Sequence, residues 1–190
     1  MDDLEDDGFE PDDILGNYEK RKKKRKDSKD KGGRGERLLI AELDKRFPGK
    51  AFSRSIGSGN RWSQARLTEA AKQVFTGDVV TPEDFFFALE CKYGYNDISL
   101  ERALKRALEG KSGNAQLNKF LTQAEKDGLR VKKKPLMCWK QNYKPWIAFL
   151  KTTHLSERLR DSPDRLVYFD WSIVPLETLF SEPDSFFMVV

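Results

Sequence analysis

Asp78, Glu90 and Lys92 fall within fifteen residues, in and around an apolar run that should be buried: Thr76-Gly77-Asp78-Val79-Val80-Thr81-Pro82-Glu83-Asp84-Phe85-Phe86-Phe87-Ala88-Leu89-Glu90-Cys91-Lys92. Ionised groups are expelled from such surroundings unless they are paired or bind a metal. The pattern points to a divalent-metal site with a lysine beside it, and it restricts the backbone. On a strand, Glu90 and Lys92 project together while Phe87, Leu89, Cys91 and Tyr93 point the other way, into a core. On a helix, Glu90 and Lys92 would diverge by roughly 200°. Pro82-Glu83-Asp84 makes a turn with proline suited to its first corner. If Asp78 lies opposite Glu90, the hairpin midpoint falls at Asp84, inside that turn. A helix beginning at Thr81, with Pro82 at its first position, is the competing reading. Three phenylalanines followed by an alternating pattern favour the hairpin. A plain edge-strand ion pair is the bland alternative for Glu90 and Lys92.

Around this run the chain reads as alternating helices and strands. Residues 34–47 form a helix, with Leu38, Leu39, Ala41, Leu43 and Phe47 available to a core and Pro48-Gly49 ending it. Glu36 lies in its first turn. Ala51–Ser55 is a short strand, and Gly57-Ser58-Gly59-Asn60-Arg61 is a turn that is either a connector or a phosphate contact through its amides, Ser58 and Arg61. Ser63–Phe75 and Ser99–Glu109 read as helices. Asn114–Asp127 is an amphipathic helix with Leu117, Phe120, Leu121 and Ala124 facing a sheet. Pro135–Lys140, Pro145–Leu150 and Leu166–Trp171 read as strands and Val174–Phe180 as a short helix.

Residues 2–19 carry nine acids and no lysine or arginine, and residues 20–26 are all basic. Blocks of like charge with little apolar content predict a disordered tail over 1–31. It is either a solvated spacer or a phosphate-touching segment. The remainder, 32–190, is one domain, with a core over about 32–150 and a closing strand and short helix in 151–190. The apolar fraction of 38% is low and the charged fraction of 35% high, as for an intracellular nucleic-acid protein. No long apolar segment or signal peptide is apparent, so neither membrane insertion nor secretion is expected. Cys91 and Cys138 read as reduced core residues. His154 is the one histidine, which leaves chemistries that need paired histidines poorly served and a carboxylate-and-lysine site available.

Gly77-Asp78 followed by Glu90-Cys91-Lys92 resembles the PD-(D/E)XK nuclease signature, here Asp-x11-Glu-x-Lys. Upstream, Gly33-Arg34-Gly35-Glu36-Arg37 opens a helix and Arg54–Gly59 follows a short strand. That order is similar to the archaeal-type Holliday-junction resolvases and their phage relatives, over about residues 32–150. Two departures stand out: the proline that precedes the aspartate in the family is Gly77 here, and a helix-like segment intervenes before Asp78. The resemblance implies an α/β fold, a restriction-endonuclease-like mixed β-sheet core flanked by helices. It implies a Mg²⁺-dependent endonuclease, with Mn²⁺ as substitute, acting on branched DNA in the cytoplasm, the host's if phage-encoded. Another nuclease of the superfamily (nicking, restriction-like or DNA-degrading) and a non-catalytic DNA-binding protein with this fold are the alternatives. Paired cuts by chains with one site each would call for a homodimer. Asp78, Glu90 and the Cys91 carbonyl would hold the metal, Glu36 would bind through water or a second ion, and Lys92 would assist the attacking water. Gln123 falls where the family often places a glutamine facing the site; a plain exposed glutamine is the alternative. Arg34, Arg37, Arg54, Ser58, Asn60, Arg61, Lys132, Lys133, Lys134 and Lys140 would contact DNA. Trp171, Leu176, Leu179, Phe180, Phe186 and Phe187 are offered as apolar material for the dimer interface.

Overall fold

A computed structural model describes residues 32–55 and 77–190. The charged tail, the Gly57–Arg61 turn and the Ser63–Phe75 helix expected from the sequence lie outside the described residues. Helix α1 occupies residues 32–46. It buries Leu39, Leu43 and the following Phe47, one residue per turn. Leu38 and Ala41, expected in the core, are on its exposed face. Proline and glycine end it, with Gly49 at φ 83°.

Strands β1 (Ser53–Arg54), β2 (Val79–Val80) and β3 (Phe87–Tyr93) follow. The predicted turn is present, but the Phe85 amide donates to the Pro82 carbonyl at 3.1 Å. Pro82 therefore opens the turn, and Glu83 and Asp84 are its corners. Helices α2 (Leu100–Leu108) and α3 (Ala115–Val131) then lead to β4 (Lys134–Lys140). Ser99 and Asn114 cap the two helices by accepting from the Arg102 and Leu117 amides. α3 runs beyond the predicted Asp127 because Gly128 does not break it. A β-carbon at Gly128 would lie 2.8 Å from the Lys133 carbonyl, so glycine lets the helix end fold back closely onto β4. Lys132, at φ 56°, makes the left-handed cap.

β5 (Ile147–Lys151) and a short helix α4 (Glu157–Arg160) precede β6 (Leu166–Tyr168) and β7 (Trp171–Pro175). The sequence suggests one strand over Leu166–Trp171. Instead Tyr168 pairs with Trp171 across a two-residue hairpin, with Phe169 at φ 54°. No glycine or asparagine announces that turn, which hides it from sequence inspection. The predicted helix over Val174–Phe180 starts only at α5 (Leu176–Phe180), because Val174 and Pro175 complete β7. Helix α6 (Asp184–Phe187) closes the chain.

The seven strands form one mixed sheet in the order β1-β2-β3-β4-β5-β7-β6. β3 and β4 are parallel, and every other pairing is antiparallel. Each face carries its own core. One gathers Leu39, Leu43, Phe87, Leu89, Cys91, Leu179 and Phe187. The other gathers Ala103, Leu117, Phe120, Leu121, Ala124, Met137 and Trp139. Cys91 and Cys138 are buried free thiols opposite each other in register. Burial pushes the Cys138 thiol up to about 12, well away from thiolate chemistry. Among the described residues no helix is long and apolar enough to cross a membrane.

Candidate active site

Strand alternation divides β3 as its sequence requires. Phe87, Leu89 and Cys91 enter the core beneath α1, while Lys92 donates to Gln123 Oε1 on α3 at 3.3 Å and lies over the Phe120 ring. Glu90 sits on that α3 face, 1% exposed, and accepts from Lys92 Nζ through Oε1. Val79 is paired with Leu89, which brings Asp78 to the level of Glu90.

The ladder is distorted at the aspartate, since its amide donates at 3.1 Å to the carbonyl of Leu89, the residue level with Val79. The Asp78 carboxylate then accepts the Cys91 amide at 2.9 Å. Leu89 offers its carbonyl toward β2, so Cys91, two residues on, turns its own amide and carbonyl to the same edge. The Cys91 carbonyl is thereby beside Asp78, and its side chain is in the opposite core.

The electrostatics of this cluster are unbalanced. Burial raises the Asp78 carboxyl above its ordinary value, against the charge of Lys92 and the Cys91 amide. Burial and then the charge of Asp78 push Glu90 well above the usual carboxylate range, with Lys92 opposing. Burial pulls Lys92 down, but Glu90 and Asp78 outweigh it and hold the ammonium above its ordinary value. One ammonium cannot neutralise two ionised carboxylates. The deficit must be met by a proton or by a cation. Glu90 Oε2 is buried and, among the described residues, has no hydrogen-bond partner. An unpaired buried carboxylate oxygen on Glu90, with the half-buried Asp78 carboxyl close enough to feel its charge, is the local chemistry a hard divalent ion satisfies.

Glu36 is nearly buried on α1, and Oε2 accepts from Arg54 Nε at 2.6 Å. Its charge reaches Asp78, yet its closest partner is the arginine of β1. Among the described residues, no three histidine, cysteine, aspartate or glutamate side chains converge as a metal cluster. The donor set is therefore two carboxylates and a neighbouring carbonyl, which fits an ion that retains several waters. The approach of α1 is set by glycine, since a β-carbon at Gly35 would overlap Tyr93 Cβ at 2.2 Å.

The remaining candidate residues are dispersed. Arg34 and Arg37 are exposed on α1, and Arg54 is committed to Glu36. Ser58, Asn60 and Arg61 lie outside the described residues. Phe87 is level with Lys134, whereas Lys92 and Tyr93 are level with Trp139 and Lys140. Lys132–Lys134 thus stand at the far end of the strands from Lys92, roughly 17 Å along them. There Lys133 donates to Thr81 Oγ1 and to the Pro82 carbonyl. Lys140 is at the Lys92 end and donates to the Lys144 carbonyl.

Sequence reasoning missed Asp127. It lies one helical turn after Gln123 on α3, and burial raises its carboxyl, opposed by Arg130 and reinforced by Asp78. Gln123 and Asp127 line a groove of about 480 Å³ with Asn118, Lys119, Thr122, Lys126 and Arg130. The signal was available in the helical spacing of Gln123 and Asp127, on the flank of the stripe formed by Leu117, Phe120, Leu121 and Ala124.

The family described as phage putative PDDEXK endonuclease matches residues 27–179. Neither the curated proteins nor the solved structures yield a match to the chain.

Proposed function

Because this chain belongs to the phage putative PDDEXK endonuclease family, we propose that it is a Mg²⁺-dependent DNA endonuclease acting at branched duplex, with Asp78, Glu90 and Lys92 as its working centre. The observation that carries this reading is the coupled pair of buried Glu90 and half-buried Asp78, with one lysine against it and an unpartnered Glu90 Oε2. A purely structural ion pair would leave no such surplus carboxylate.

Asp78 and Glu90 would hold the ion, with the Cys91 carbonyl beside them and Glu36 acting through water. A bound divalent ion supplies a water of lowered pKa and neutralises charge on the phosphate. Lys92 is held by Glu90 and Gln123, so its ammonium is fixed where it can orient the attacking water or meet negative charge developing on phosphorus. Water oxygen bonds to phosphorus in line with the departing 3′ oxygen, which takes a proton. The products are a 5′-phosphate and a 3′-hydroxyl. DNA is carried by cations around this centre: Arg34, Arg37 and Lys140, and on α3 Lys119, Lys126 and Arg130.

A homodimer would present two such centres to the two strands of a four-way junction. One observation favours a second reading, a nicking, restriction-like or DNA-degrading nuclease. Trp171, Leu176, Leu179 and Phe187, expected from the sequence as interface material, are buried in the cores of their own chain.

A cleavage panel with Mg²⁺ separates the readings: four-way junction, nicked duplex, linear duplex and single strand. The junction reading expects two symmetric nicks and much slower cutting of linear duplex. Asp78→Asn and Glu90→Gln should abolish cleavage while leaving DNA binding nearly intact, since binding rests on phosphate contacts. Lys92→Ala should be inactive and folded. Normal turnover by Asp78→Asn would sink the assignment of the centre, and equal cutting of linear duplex would favour the second reading.

A further inference from the structure

Tyr143 occupies the tip of the β4–β5 hairpin and is wholly exposed, at 105% relative accessibility. The Lys144 amide donates to the Gln141 carbonyl at 3.2 Å, so Tyr143 is the second corner of a tight turn. Its φ is 60°. That corner ordinarily carries glycine or asparagine when φ is positive, and a bulky side chain there is strained. Strain at an exposed residue brings no packing in return, so a role outside the fold is the natural explanation.

The turn stands on a rigid base. Gln141 is buried, and Nε2 donates to the Tyr95 and Ile98 carbonyls at 3.0 and 2.8 Å. The Asn142 amide donates to Asn96 Oδ1 at 2.9 Å. The segment gripped in this way directly follows β3, whose last residues are Lys92 and Tyr93. Lys92 is level with Trp139 and Tyr93 with Lys140, so the hairpin tip lies at the candidate centre's end of the sheet. At most ~10 Å of chain separates Lys140 from Tyr143. Lys144, next in sequence to Tyr143, is exposed, while the Lys140 ammonium donates to the Lys144 carbonyl at 2.9 Å beneath the turn's end.

We infer that Tyr143 is a stacking platform for an unpaired or unstacked DNA base, with Lys144 against the adjoining phosphate. An aromatic face takes any base, and a neighbouring cation tracks the backbone, the combination used to hold single strands. This rests on the nuclease reading and adds to it a preference for DNA with interrupted stacking, such as a gap or branch. The exposed Lys144 beside it favours a nucleic acid strand over a protein partner, for which an isolated aromatic offers little area.

The test is a binding titration of the full chain, with Ca²⁺ in place of Mg²⁺, against a gapped duplex carrying 2-aminopurine in the gap and against an uninterrupted duplex of the same sequence. Tyr143→Ala should bind the gapped DNA about tenfold more weakly and lose the 2-aminopurine signal change. Its affinity for the uninterrupted duplex should stay within about twofold, because phosphate contacts carry that binding. Tyr143→Phe should behave as wild type. Wild-type affinity of Tyr143→Ala for the gap, an equal loss on both duplexes, or failure of Tyr143→Phe would each overturn the stacking role. A chain that cuts DNA while Tyr143→Ala is unaffected defeats this inference alone. A wild-type chain that binds neither DNA defeats it together with the nuclease reading.

Discussion

Gly77 has φ 78°, and a β-carbon there would lie 2.7 Å from the Leu89 carbonyl oxygen. Proline is locked near φ −65° and cannot adopt that conformation. The departure from the family's proline is therefore required by how this chain bends into Asp78. Glu90 carries the sharpest prediction at this scale. Its carboxyl is raised well above the ordinary 4.5 by burial and by Asp78. Above 4.5 the unfolded chain releases this proton first, so the folded state holds more protons and stability falls as pH rises. The fall continues up to the raised folded value, and each pH unit between the two costs about 1.4 kcal/mol. Metal-free protein should thus lose stability as pH rises out of the ordinary carboxylate range, and Glu90→Gln should flatten most of that slope. Mg²⁺ should raise the midpoint of thermal unfolding more at the higher pH. Urea titrations across pH, with and without Mg²⁺, check both; an unchanged slope in Glu90→Gln would remove the buried-charge account.

α3 serves the sheet and the solvent at once. Leu117, Phe120, Leu121 and Ala124 pack inward. Gln123 touches Lys92, and Lys119, Lys126 and Arg130 line the groove outside it. A helix whose inner face is fixed by packing presents its outer cations at fixed spacing, which suits a phosphate backbone better than a flexible loop does. Replacing Lys119, Lys126 and Arg130 by glutamine should leave folding within about 1 kcal/mol, as exposed positions allow. It should reduce the slope of log affinity against log salt by about 2–3, near 0.9 for each phosphate no longer neutralised. Retention of the full slope would mean that DNA passes elsewhere on the surface.

At the scale of the whole molecule, Arg46 joins the beginning and end of the described chain. From the last turn of α1 it donates to the Phe180 and Glu182 carbonyls at 2.6 and 2.7 Å and pairs with Asp184 at 2.8 Å. Its guanidinium also lies over the Phe47 ring at 4.5 Å. The closing segment continues past α6 along the β2–β3 turn, where the Phe86 amide donates to the Phe187 carbonyl and the Val189 amide to the Asp84 carbonyl. The C-terminus thereby braces the hairpin that carries Asp78 and Glu90. Arg46→Ala should cost about 2–3 kcal/mol in urea unfolding, because charge-assisted bonds to half-buried carbonyls are removed together. Arg46→Lys should recover only part, since one ammonium cannot replace the fork. A cost below about 0.5 kcal/mol would make the clamp incidental.

The elements nearest the candidate centre were legible because their signals are local. The two-residue period of Glu90 and Lys92, the turn between Asp78 and Glu90, and the helix starts near Ser99 and Asn114 each rest on a few residues. The β6–β7 hairpin was not legible, because β7 is held by pairing with β5 and the turn contains neither glycine nor asparagine. The same holds for the residues around the centre. Strand alternation alone placed Glu90 with Lys92 and away from Cys91. Only the tertiary structure could commit Arg54 to Glu36, bring Asp127 into the field of Asp78 and put Lys133 at the far end of the sheet. Sequence determines which side of a strand or helix a residue occupies, because backbone periodicity is local. Which charges meet depends on how helices seat on the sheet, and that is decided by burial summed over residues far apart in the chain.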